Sequence, residues 1–81
     1  MSTSTFKIGD RVRITMALAV DRDYLEDTVG VMATVVPSDF DGMLQIKLDR
    51  PVEGLGIGEY PDDFYAWASD DPEISECLTL A

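Results

Sequence analysis

Apolar residues recur at every second position in three separate segments, and a period of two belongs to half-buried strands. In residues 10–16, Val12, Ile14 and Met16 share one face while Arg11, Arg13 and Thr15 share the other. Residues 29–36 are apolar on both faces, as a central strand requires, and Pro37 ends the run because proline cannot donate to a ladder. Residues 43–49 place Leu44, Ile46 and Leu48 inward and Gln45, Lys47 and Asp49 outward, with Pro51 closing the run. Residues 37–42 between these two runs are rich in turn formers and predict a hairpin.

The remaining segments are less regular. Residues 17–27 are compatible with a helical turn, but between two strong strands they read better as a long loop. Residues 64–69, Phe-Tyr-Ala-Trp-Ala-Ser, fit a strand or a short helix, and their aromatics and brevity favour a strand. Asp71-Pro72-Glu73 resembles an N-cap followed by proline at the first helical position, so one tight turn is expected before a last short strand at 77–80. Five strands, a long first loop and one turn before the final strand predict a small all-β barrel. At 81 residues the chain has room for one domain, and its first five residues are expected to be disordered.

Three strand segments carry a resemblance: Gly9-Asp-Arg-Val-Arg-Ile14, Val29-Gly-Val-Met-Ala-Thr-Val-Val36 and Leu44-Gln-Ile-Lys-Leu-Asp49. This pattern resembles the SH3-like barrels of the electron-transport accessory group, which includes a small reaction-centre protein of photosystem I and the variable chain of ferredoxin-thioredoxin reductase. The resemblance implies a five-stranded SH3-like barrel; in this chain a long first loop and an acidic C-terminal insertion are expected on it, and the acids from Glu53 to Glu76 depart from the basic docking faces of that group. It also implies a non-catalytic subunit that supports docking between larger proteins.

Charge narrows the choice of partner. The net charge is −10, and it is unevenly spread: residues 1–36 hold four bases against five acids, and residues 37–81 hold two bases against eleven acids. From Glu53 to Glu76 no Lys or Arg interrupts the acids. Such a field repels phosphate backbones and anionic lipid, and it attracts basic proteins. Direct binding of nucleic acid or of a membrane surface is therefore disfavoured. No apolar run approaches the ~20 residues needed to span a bilayer, the N-terminus has no signal-like pattern, and a single cysteine suits a reducing compartment, so a cytoplasmic protein is expected.

Catalytic chemistry finds little support. The absence of histidine removes the commonest general base and metal ligand together with every Ser-His or Cys-His pair. Cys77 follows Glu76 and lies near Asp70, Asp71 and Glu73 in sequence, the opposite of the cationic surroundings that activate a thiol. Asp39 and Asp41 before Gly42 lack the remaining ligands of a calcium loop, so a hairpin turn is expected there. Gly54, Gly56 and Gly58 are flanked by Glu53 and Glu59, the wrong charge for a phosphate cradle. Lys7, Arg11 and Arg13 form a strip too small for a nucleic-acid footprint and read as the outer face of the first strand. No enzyme activity, metal or cofactor is expected.

The candidate protein-binding residues are Glu59, Tyr60, Asp62, Asp63, Tyr65, Trp67, Asp70 and Asp71, in which aromatic anchors are surrounded by steering charge. If residues 64–69 form a strand, Tyr65 and Trp67 share a face opposite Phe64, Ala66 and Ala68, and one of the two sets points outward. Two functions follow: an adaptor that docks a larger protein with a basic face, or an inhibitor that imitates nucleic acid. The second needs rows of carboxylates spaced ~6.6 Å apart along a strand.

Overall fold

The computed structural model describes residues 6–20, 23–56 and 61–81. The first five residues, with the disorder expected of them, lie outside that set. The described residues form β1 (Arg11–Ile14), β2 (Leu18–Val20), β3 (Asp23–Leu25), a 3-10 turn (Glu26–Thr28), β4 (Met32–Val36), β5 (Met43–Leu48), β6 (Phe64–Ala68), α1 (Glu73–Cys77) and β7 (Leu78–Leu80). Five strands make one antiparallel sheet in the order β6-β5-β4-β1-β7, curled into a half-barrel. The protein is thus mostly β.

Alternation sets the inner face. Val12 and Ile14 of β1, Ala33 and Val35 of β4, Leu44, Ile46 and Leu48 of β5, Trp67 of β6 and Leu78 of β7 are all buried in one core. Arg11, Arg13 and Lys47 stay exposed on the outer face. Val52 and Leu55, from the connection between β5 and β6, and Ile74 and Cys77, from α1, join that core together with Leu18 of β2 and Val31.

Three expectations are corrected. The loop expected at 17–27 holds a second, two-stranded sheet: β2 pairs with β3 through Leu18 with Leu25, Ala19 with Tyr24 and Val20 with Asp23. The central strand begins at Met32 and not at Val29, because residues 29–31 make the turn that leads into it. Gly30 adopts φ 87°, a left-handed value that favours glycine, and its N–H donates to the Ile14 carbonyl. Val29 is consequently 49% exposed. The first strand stops at Ile14 as the chain turns toward β2, which leaves Met16 at the surface.

The hairpin at 37–42 joins β4 to β5 as expected, with Gly42 at φ 77°. The turn ahead of the last strand is a single turn of helix, α1, whose first N–H at Glu73 donates to the Asp71 carboxylate at 2.9 Å. No described helix is long and apolar enough to cross a membrane.

Candidate docking surface on the acidic side

The acidic stretch contains both β6 and α1, so its charges are presented by ordered elements. Asp62 and Asp63 lead into β6, Asp70 and Asp71 follow it, and Glu73 and Glu76 sit on α1. Glu59 and Tyr60 lie outside the described residues. No carboxylate lies within β6 itself, so the spaced row of acids on a strand that nucleic-acid imitation needs is not formed there.

The candidates differ in role. Asp62 is half-buried and its Oδ1 accepts the Gly56 N–H at 2.9 Å, which holds the preceding connection against the start of β6. Asp63 has one buried carboxylate oxygen with no partner among the described residues, and its main-chain carbonyl accepts the Leu48 N–H at 2.7 Å. Asp71 caps α1, whereas Asp70 is exposed.

The two aromatics point inward. Register settles their direction, because Tyr65 pairs with Ile46 and Trp67 with Leu44, both core residues, and paired side chains lie on the same face of a sheet. Trp67 is 4% exposed, so it is a core residue in place of the surface anchor considered from sequence; its indole N–H finds no acceptor among the described residues. Tyr65 is half-buried and meets Trp67 edge-on, with ring centroids 4.8 Å apart and planes at 71°. Its hydroxyl donates to the Ala19 carbonyl of β2 at 2.7 Å. Burial first, then Glu73, the Cys77 thiol and Asp71, push the phenol above its usual range. The residues turned outward on β6 are Ala66 and Ala68, with Phe64 half-buried.

Counter-charge is sparse. Among the described residues the one salt bridge joins Arg11 to Asp49 at 2.6 Å, on the outer face of the sheet and outside the acidic stretch. A second Arg11 nitrogen reaches the other Asp49 oxygen at 2.8 Å, and the same nitrogen donates to the Thr34 hydroxyl at 2.7 Å. Arg50 donates to the Asp27 carbonyl, and the Lys47 ammonium stands 6.0 Å from the centre of the Phe64 ring. No described acid between Glu53 and Glu76 forms a salt bridge with a described Lys or Arg.

No protein-family model matches the chain, and no curated protein or solved structure is significantly similar to it.

Chemistry at the other sequence motifs is structural. Burial, then Glu73, Glu76 and Asp71, raise the Cys77 thiol, which weakens it as a nucleophile. No group of three or more Cys, Asp or Glu able to hold a metal ion occurs among the described residues. Asp39 and Asp41 are exposed in the β4–β5 turn, and Gly54 takes φ 88° in a turn of the β5–β6 connection; Gly58 lies outside the described residues. Sequence reasoning missed Thr28, the buried polar residue that organises the hairpin, because it follows an acidic pair and gives no periodic signal. Of the two sets that a strand at 64–69 offered, the one with Ala66 and Ala68 is the one turned outward.

Proposed function

We propose that this chain is a non-catalytic, cytoplasmic docking module, an SH3-like barrel that engages a larger protein with a basic face through its β6–α1 side. The strand order β6-β5-β4-β1-β7, a hairpin inserted between the first two strands of the main sheet and a one-turn helix ahead of the last strand support the SH3-like reading. The observation that carries the docking reading is the run of acids from Glu53 to Glu76 without an internal counter-ion among the described residues. A folded domain gains nothing from such crowding, since like charges oppose the compact state, whereas a cationic partner is steered and held by it. An accessory role in electron transport rests on the strand resemblance alone.

Capture from an extract of the source cells tests the reading. A partner should be retained by the wild-type protein at about 0.1 M salt. It should be lost on Asp70→Asn/Glu76→Gln, which removes two exposed charges, and kept on Trp67→Phe, which alters only the core. Retention indifferent to the two neutralised acids would defeat the proposal. A retained protein that duplex DNA displaces would point to nucleic-acid imitation.

A further inference from the structure

β6 ends the five-stranded sheet, with β5 on one side and no strand on the other among the described residues. Two hydrogen bonds bracket its ladder: the Leu48 N–H donates to the Asp63 carbonyl and the Ser69 N–H donates to the Gly42 carbonyl, both at 2.7 Å. Antiparallel partners alternate between bonded and non-bonded pairs. The register therefore bonds Tyr65 and Trp67 to β5 and turns the N–H and C=O groups of Phe64, Ala66 and Ala68 the other way.

Two of those six groups are satisfied locally. The Phe64 N–H donates to the Pro61 carbonyl at 3.3 Å, and the Ala68 carbonyl accepts the Asp71 N–H at 2.9 Å. Left along the edge are the Phe64 carbonyl, both groups of Ala66 and the Ala68 N–H, none with a partner among the described residues. Ala66 and Ala68 are exposed, and their methyl groups do not obstruct an approaching backbone.

Natural edge strands are blunted by lysine, proline, bulges or brevity. The opposite edge, β7, is only three residues long. β6 has five residues in unbroken register, with no charge and no proline. Its guard lies at its ends: Asp62 and Asp63 before it, Asp70 and Asp71 after it. Two copies joined antiparallel about Ala66 would set Asp62 of each opposite Asp70 of the other, on chains of net charge −10. The same carboxylates favour a strand with cationic ends.

We propose that the outer edge of β6 accepts one extended segment of a partner protein, with basic residues about seven positions apart that meet Asp62–Asp63 and Asp70–Asp71. This rests on the docking reading above and narrows it from a charged side to one strand edge. Backbone pairing supplies the registration, and the flanking acids exclude self-association while selecting a cationic occupant.

Two synthetic nine-residue peptides test it, each with Lys-Arg at both ends and alternating Val and Thr between. The second is N-methylated at the central positions, so that it keeps its charge but cannot donate hydrogen bonds. Amide exchange at Ala66 and Ala68 is followed by NMR during titration at low salt. The first peptide should bind, slow exchange at both amides, and bind roughly tenfold more tightly than the second, the equivalent of one or two hydrogen bonds. Equal binding by both without protection would overturn strand addition and leave the acidic docking surface standing. No binding by either would bring down both readings. Protection that grows with protein concentration in the absence of peptide would show a second copy on the edge, and would overturn the assigned partner.

Discussion

The Tyr65 hydroxyl donates a 2.7 Å hydrogen bond to the Ala19 carbonyl, and so ties edge strand β6 to the small hairpin inserted between β1 and β4. Tyr65→Phe keeps the ring against Trp67 and removes only that bond. The expected loss is about 0.5–1.5 kcal/mol in urea denaturation. Amide exchange should quicken in β2 and β3 and stay unchanged in β4 and β5. The phenol also titrates above its usual range, so the protonated form favours the fold; its contribution is complete below about pH 10 and fades as pH rises through the raised folded value. In Tyr65→Phe that alkaline loss should shrink.

Thr28 is fully buried and serves the same hairpin from the other end. Its hydroxyl accepts the Leu18 N–H at 3.1 Å and donates to the Leu25 carbonyl at 2.5 Å, so one side chain satisfies a group on each strand. Thr28→Val preserves shape and strands both main-chain groups, with an expected cost of about 1–3 kcal/mol. Thr28→Ser restores the hydroxyl and should lose only about 1 kcal/mol, for the missing methyl. Equal stability of the two variants would mean that the hydroxyl does not hold the hairpin.

The Arg11 guanidinium holds the Asp49 carboxyl below its ordinary range by direct hydrogen bonding, against a smaller opposing effect of desolvation. Because the folded value is depressed, the stabilisation is present above about pH 4 and disappears as pH falls through the folded value. Both side chains are about half exposed, which keeps the effect small and sensitive to salt. Asp49→Asn should lower the urea midpoint slightly at pH 7 and match the wild type at about pH 2. A gap between the two that widens in acid would contradict the pairing.

These particulars show where the fold was legible. In β1 and β5 the side-chain pattern and the burial agree, since Val12, Ile14, Leu44, Ile46 and Leu48 fall on the face that their spacing assigns, whereas the apolar residues on both faces of β4 assign none and pairing turns Ala33 and Val35 inward. β2 and β3 carry no such pattern and are held by tertiary bonds from Thr28 and Tyr65, which a local reading cannot see. The candidate surface was half legible. Composition located the charge, but the inward turn of Trp67 depends on pairing with Leu44, and the loop bond that Asp62 accepts and the cap that Asp71 forms depend on where the chain bends.

Uncompensated carboxylates predict opposite responses to salt in the isolated protein and in its complex. In isolation, the acids around β6 and α1 repel one another, so added salt should raise the denaturation midpoint as screening tightens from about 30 Å at 0.01 M to about 8 Å at 0.15 M. Asp70→Asn/Glu76→Gln should gain up to about 0.5 kcal/mol at low salt and show a shallower salt slope, because among the described residues neither exposed side chain makes a hydrogen bond that the change would break. For the complex, the same salt weakens attraction to a basic partner and should slow association. A variant that gains stability while losing its partner would be the expected trade between function and stability. A wild-type midpoint that falls as salt is added would mean that the carboxylates are neutralised within the fold, and it would remove the physical basis of the docking surface.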